Sequence, residues 1–521
     1  MEFVVLSEAG KPIFESFSGN ACSRNIRRGL EHAGPGGKDE SAISSLCALI
    51  QATMVNVQGY IYENSTDGAV ACEDNNDNST VVLRSDQSII YAVIHGPLIF
   101  AAVQYIDVEH RSTNRCPKED ESGMVSPDTS LTSHCWHTES YMKLILEYLY
   151  AQILFTLTDQ VKTILEQNAN FDVRGMLGPD TETLMHGIIN QARDSDECAN
   201  LLTSSVQVVA LEPSVREYIY CTLRENVHGA LYALLLSENR IVCFIQPKQY
   251  DLQLKSCDIH LILNFVKHQS AALSKTESWL PMCLPRFNAS GSLFVYSNFL
   301  HPESKMSLLL LSAQNDTCQF NSFHNSFGII RERFRLNDID NEGCLSSQVL
   351  NDVNRSSKEA HDSLMRGYCL IENVNHFMFR RDISIPSSCS NGSGNFTQNL
   401  SFSLDDGTSG KLSRQRVWIM YENLALRLRY VQCNNSCLKG NEYFSAQILF
   451  ESIPVGDDLV SYIEDNANLY MGIRGNGYEL YATFTGNVSI IEGEKHCQRL
   501  VERLIADEDT LYITKNCTWN S

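Results

Sequence analysis

Four residues in one polar stretch, Cys116, His134, Cys135 and His137, are of the types that hold zinc. Their spacing fits no standard zinc class, because His134 and Cys135 are adjacent, and a solvated loop accounts for them more simply. Cys433 and Cys437 have no second pair nearby. Asp338, Asp340 and Glu342-Gly343 open like a calcium loop, but Val349 stands at the twelfth position, where a bidentate Glu belongs. The glycine run at 34–38 ends in Lys38, yet His32 replaces the first glycine of a phosphate-binding loop and Asp39 its Ser/Thr. No GxSxG, HExxH or GxGxxG occurs. His228, His260 and His268 are single histidines in or beside apolar elements, where a structural role is the simpler reading. No constellation for bond-making chemistry emerges, no metal or cofactor is expected, and a scaffold or regulator is favoured over an enzyme.

Composition narrows the class. The chain has 521 residues, 43% of them hydrophobic, and a formal net charge of -21. Several domains are expected at this length. The acidic balance argues against nucleic acid as a partner, since phosphate neutralisation needs clustered Lys and Arg. The N-terminal apolar run is too short for a signal peptide. Residues 141–157, the most apolar long segment, are interrupted by Lys143, Glu147 and Gln152, short of a membrane span. A cytosolic chain with its 18 cysteines reduced is expected.

The patterning predicts a repeated order of elements. Residues 3–6 and 13–17 form a hairpin across Gly10 and Pro12, and 43–57 a helix with apolar residues on more than one side. Three strands (80–84, 88–95, 97–106) and helices at 141–157 and 160–167 follow. After a connecting segment at 172–226 the order recurs: strands at 230–236 and 241–246, and a helix capped by Asp258 with Ile259, Ile262, Leu263 and Val266 buried. Strands at 279–287, 292–300 and 306–312 and a helix within 316–335 complete it. Pro281 and Pro285 place strand 279–287 at a sheet edge or give it a bulge, because each lacks a backbone donor, and 288–291 reads as a turn. A third, more degraded copy has strands at 368–380, 443–450, 468–473, 478–484 and 510–514. Its helices lie at 416–428 and 489–506.

Phe3 to Phe14 (FVVLSEAGKPIF) resembles the opening of the Mon-one, or SAND, family of vacuolar fusion proteins. So do EPSVREYIYCTL, ALYALLLSENRIVCFIQPK, DIHLILNFV and ESWLPMCLPRFNASG within 211–299. The likeness thins in the third copy. It implies an α/β (α+β) chain of three longin-type domains, each a five-stranded antiparallel sheet flanked by helices. The boundaries expected are 1–170 (insertions at 64–78 and 107–137), a connector at 171–225, 226–336, a linker at 337–367, and 368–521 (low-complexity insertion at 383–410). The family further implies a heterodimer with a Ccz-one-type tri-longin protein that exchanges nucleotide on a Rab-seven-type GTPase of late endosomes and vacuoles. Recruitment by a Rab-five-type GTPase and by phosphatidylinositol 3-phosphate is also implied. A longin-type adaptor or tether without exchange activity is the alternative.

On this reading the extra apolar surface of the first helix faces the partner, with Leu46, Leu49, Ile50 and Thr53 as interface candidates. Arg331, Arg333 and Arg335, and Arg380 with Arg381, are the candidate membrane-facing basic groups.

Overall fold

The computed structural model describes residues 1–16, 45–56, 81–84, 88–105, 137–194, 197–273, 276–300, 306–335, 362–382, 397–404, 414–433, 453–455, 458–464, 468–486, 488–515 and 517–519. They fall into two compact units, Met1–Ser130 with Glu139–Ile189, and Leu131–Thr138 with Asn190–Ser521. The glycine run at 34–38, the calcium-like loop, Cys116, His134, Cys135 and Cys437 lie outside the described residues.

The first unit is built on a sheet of β1 (Glu2–Ser7), β2 (Pro12–Ser16), β3 (Val81–Arg84), β4 (Ser88–His95) and β5 (Leu98–Tyr105). The spatial order is β2-β1-β5-β4-β3, antiparallel throughout. Gly10, at φ 77°, closes the β1–β2 turn in the left-handed region that glycine tolerates. Strand β1 is apolar without alternation because both its faces are covered. Val4 and Leu6 meet Cys47, Ile50 and Met54 of helix α1 (45–56). Period-two alternation turns Phe3 and Val5 to the opposite face, where α2 (Glu139–Leu157) packs on β4 and β5. Helices α3 (Gln160–Gln167) and α4 (Arg174–Asp194) follow.

The expected connector is largely structured. It contains α4, broken at Gly178 before Pro179, then α5 (Cys198–Thr203), the short strand β6 (Val206–Gln207) and α6 (Pro213–Asn226).

In the second unit, β7 (Tyr232–Ser237), β8 (Arg240–Ile245), β9 (Ser278–Leu284), β10 (Ala289–Phe299) and β11 (Met306–Ser312) form the order β8-β7-β11-β10-β9. The proline-rich strand β9 sits at the edge, as its missing donors require. Pro285 instead opens a one-turn helix, Pro285–Asn288, and β10 begins at Ala289 where a longer turn was expected. Helix α7 (Ser256–Leu273) lies between β8 and β9 in sequence, and α8 (Thr317–Arg335) follows β11. Asp258 is inside the first turn of α7 rather than its cap. Its Oδ1 accepts the Arg286 amide at 3.0 Å, so it caps the one-turn helix instead.

A further sheet has seven strands, whose core is β12 (His376–Arg381), β13 (Gln398–Ser403), β15 (Asp458–Glu464), β16 (Asn468–Gly475) and β17 (Tyr478–Thr485). The order β13-β12-β17-β16-β15 repeats that of the other two sheets. Strand β14 (Ile453–Val455) extends one edge, and β6 pairs parallel to β13 at the other. Three sequence expectations change here. Residues 362–372 form helix α9, so only the end of the expected strand at 368–380 is extended. The low-complexity stretch contains β13, a polar strand whose Gln398 and Asn399 are nevertheless buried. Residues 510–514 form no strand: Glu508–Leu511 is a helical turn, and the Gln398 side chain supplies both backbone partners of Ile513. The expected strand at 443–450 lies outside the described residues. Helix α10 (Arg414–Cys433) covers this sheet, and α11 (Ile490–Ala506) starts at a capping box between Ser489 and Glu492.

A candidate partner-binding face

Among the described residues, each sheet carries one long helix between its second and third strands: α1, α7 and α10. All three are apolar on more than one side, which requires a cover on the side away from the sheet. In α7, Asp258 to Asn264 are buried without a break. The ring Nε2 of His260 donates to the Ser205 carbonyl at 2.6 Å, and Asn264 Oδ1 accepts from Gln191 at 3.3 Å. The chain's own preceding segment therefore covers α7. In α10, Val417 to Glu422 are all buried. Glu422 accepts from the Thr138 amide at 3.0 Å and pairs with His137 Nδ1 at 2.7 Å. His137, one of the four residues weighed for zinc, is thus engaged by a carboxylate.

Helix α1 differs. Cys47, Ile50 and Met54 face its sheet, while Ser45, Ala48, Leu49, Ala52, Val55 and Asn56 are exposed. Leu49 is 58% exposed and Val55 46%. These positions recur at three- and four-residue intervals, so Ala48, Leu49, Ala52 and Val55 form one apolar stripe. The four interface candidates divide across this geometry. Leu49 is in the stripe. Ile50, 1% exposed, belongs to the core of the unit, and Leu46 packs partly against that core. Thr53 is on the flank, its hydroxyl donating to the Leu49 carbonyl at 2.7 Å. Sequence periodicity finds both stripes of α1; only the position of the sheet says which is inward.

The helix is fastened in place. Gln51 Nε2 donates to the Glu8 carbonyl at 3.0 Å, tying α1 to the β1–β2 turn. A Cβ on Gly10 would come within 2.7 Å of Gln51 Oε1. Lys11 at the same turn donates to the Asn170 carbonyl, and Arg174 pairs with Glu15. The stripe is thus presented on a rigid support.

The basic candidates are mostly engaged by acids. Arg380 pairs with the buried Glu479 at 3.0 Å and with Asp382. Arg381 grips both oxygens of Glu508 at 3.2 Å. Arg429 and Arg474 also surround Glu479. Although burial acts to raise it, these arginines hold its carboxyl below the usual range. On α8, Arg333 pairs with Glu225 at 3.1 Å, and Arg331 is exposed. Among the described residues, no group of three or more His, Cys, Asp or Glu could hold a metal, and no helix is long and apolar enough to cross a membrane. His228 is exposed, and burial holds both His260 and His268 below the ordinary imidazole range, His260 at about 4.

Comparison with known proteins follows the same lines. The family described as the second longin domain of FUZ, MON1 and HPS1 matches residues 228–325, the span of the middle sheet and its helices. Vacuolar fusion protein MON1 of Yarrowia lipolytica is 25% identical over 353 residues, 66% of this chain and 50% of that protein. Vacuolar fusion protein MON1 homolog A of Bos taurus is 30% identical over 173 residues, 33% of this chain and 30% of that protein. Protein SAND of Takifugu rubripes is 29% identical over 189 residues, 35% of this chain and 34% of that protein. The matched stretches span between about a third and a half of these relatives' own length. With one strand order in all three sheets and these likenesses, the chain is a homologue of the MON1/SAND vacuolar fusion proteins, with a longin domain of their second type at residues 228–325.

Proposed function

We propose that this chain is the Mon-type subunit of a two-chain guanine-nucleotide exchange factor for a Rab-seven-type GTPase, acting in vacuole and late-endosome fusion. The observation that carries the reading is the exposed apolar stripe of α1, at the position where α7 and α10 are covered by the chain itself. A Ccz-one-type tri-longin protein would place its own first domain there, and the joint surface would engage the Rab. Exchange needs no bond-making group. A Rab holds nucleotide and Mg²⁺ through loops that those contacts order. A protein that binds the displaced-loop state better shifts the population and releases nucleotide. An arginine finger serves hydrolysis rather than exchange. The division into three longin domains, recruitment by a Rab-five-type GTPase and contact with phosphatidylinositol 3-phosphate membranes belong to the same proposal. The ion pairs on Arg380 and Arg381 leave Arg331 as the more available cation for a membrane.

Release of labelled GDP from a Rab-seven-type GTPase tests it, with this chain, the Ccz-one-type chain, or both. Acceleration with both chains only is the expected result. A stable ternary complex without acceleration would replace this proposal with a longin-type adaptor or tether.

A further inference from the structure

The β16–β17 hairpin closes in a turn of two residues, Asn476 and Gly477, because Gly475 pairs with Tyr478. Asn476 is exposed, and Gly477, at φ 77° less one degree from that of Gly10, takes the left-handed position that so tight a turn demands. The stem beneath it is fixed. The Tyr478 hydroxyl donates to Asp458 Oδ2 at 2.7 Å, and a Cβ on Gly475 would collide with the Tyr478 ring and with Asp458. Beside the tip, Arg381 at the end of β12 donates from Nη1 to the Gly477 carbonyl at 3.1 Å and reaches the Asn476 carbonyl at 3.5 Å. Glu508 holds the other edge of the same guanidinium through Nε and Nη2. The Asp382 amide donates to the Gly477 carbonyl at 2.8 Å, and the Asp382 carboxylate pairs with Arg380.

An asparagine followed by glycine carries its own nucleophile. The nitrogen of the next peptide can close a five-membered ring on the side-chain carbonyl carbon, and glycine, with no Cβ, leaves that nitrogen unshielded. The reaction first requires the Gly477 N–H to give up its proton. The peptide that becomes anionic joins Asn476 to Gly477, and its carbonyl oxygen is the atom that Arg381 reaches. A fixed guanidinium there stabilises the negative charge that spreads onto that oxygen. The acids around the turn are each engaged elsewhere: Glu508 by Arg381, Asp382 by Arg380 and Asp458 by Tyr478.

We propose that Asn476 is a site of spontaneous deamidation, that Arg381 promotes the reaction, and that the product remodels the end of this hairpin. The Gly477 nitrogen, having lost its proton to hydroxide, bonds to the Asn476 Cγ. The bond from Cγ to the side-chain nitrogen breaks, and that nitrogen takes up a proton and leaves as ammonia. Water then adds to one of the two carbonyls of the resulting succinimide and breaks its bond to the ring nitrogen. Opening at Cγ gives aspartate; opening at the backbone carbonyl gives isoaspartate. In sum one water is consumed and one ammonia released, with nothing oxidised or reduced. Isoaspartate routes the main chain through the side chain and lengthens the turn by one methylene. A two-residue turn cannot absorb that and keep both the Gly475–Tyr478 pairing and the Gly477 carbonyl on Arg381 and Asp382. Either product also adds a carboxylate beside Arg381, in competition with Glu508.

The test incubates the full chain at physiological temperature, at neutral and mildly alkaline pH. After trypsin digestion the peptide that begins at Gly475 is followed by mass spectrometry, with isoaspartate and aspartate separated by chromatography. Asn391-Gly392, the other Asn-Gly pair of the sequence, is the internal reference. The expected result is conversion of Asn476 in the folded chain, with isoaspartate among the products, at a rate that rises in proportion to hydroxide. Asn476→Gln, which would need a six-membered ring, should stay intact and melt as the parent does. Arg381→Gln should slow conversion at Asn476 severalfold and leave Asn391 unchanged. Asn476 that stays intact while Asn391 converts, or that converts only in urea, would overturn the proposal. Equal or faster conversion of Asn476 in Arg381→Gln would overturn the part given to Arg381.

Discussion

Replacing Leu49 by Asp tests the partner-binding face most directly. Fully burying a leucine side chain is worth about 1.5–3 kcal/mol. Leu49 is 58% exposed, so a partner that covers it gains about 1–1.7 kcal/mol from this side chain on the same scale. Loss of that contact alone weakens binding about 5- to 20-fold. Aspartate also carries a carboxylate into an apolar contact, which adds about 2 kcal/mol or more. The combined effect is about 100-fold or more in affinity for the Ccz-one-type chain. Stability should barely change, because an exposed Leu-to-Asp replacement in a helix costs about 0.5 kcal/mol in propensity. Ile50→Asp is the contrast: one residue along, it sits in the core of the first unit and should unfold it. The assay is titration calorimetry with the purified partner, beside thermal melts of both variants. A folded Leu49→Asp chain with unchanged affinity would refute the reasoning, and so would an Ile50→Asp chain as stable as the parent.

Two buried groups on α7 oppose one another in pH. Burial raises Asp258 from 3.8 to about 6, so its contribution to stability is full below pH 3.8 and is lost as pH rises through about 6. Burial lowers His260 from 6.5 to about 4, so its contribution is present above pH 6.5 and lost as pH falls through about 4. Each shift corresponds to about 3 kcal/mol, so their slopes nearly cancel, and Asp258→Asn should remove only the first. That variant should be more stable than the parent at pH 7 and fall more steeply towards pH 4; parallel melting profiles would contradict this. Gly10→Ala should cost about 1–2 kcal/mol in denaturant unfolding, from the left-handed backbone and the crowded Gln51. An unchanged midpoint would mean that the turn is not fastened to α1. Glu372 is buried and holds Arg499, Arg503 and His496 of α11 against α9. Glu372→Gln should cost about 1–2 kcal/mol, discounted for the partly exposed arginines, and should speed amide exchange in α9 first. Uniform exchange across the unit would argue against a local clamp.

The repeated order of elements was legible because strands buried on both faces read as apolar runs, and because apolar periodicity marks the helices between them. Phe3 to Leu6, Leu234 to Leu236 and Leu308 to Leu311 needed no tertiary information. For β9 the missing donor of Pro281 called for an edge or a bulge, and the strand order decided for the edge. Strand β13 was not legible: its Gln398 and Asn399 are polar, and they are buried only because Ile513, Asn200 and Ser205 converge on them from distant parts of the chain. Residues 368–372 carry the apolar content of a strand but form a helix, because Tyr368 and Glu372 find Asp507 and the α11 arginines on one helical face.

The candidate site divides in the same way. Local chemistry along the chain determined that α1 has apolar residues on two sides. Only the tertiary structure decided which of those residues point inward, placing Ile50 in the core and Leu49 in the open stripe. Periodicity specifies the angle between two stripes on a helix but not which one a sheet will cover.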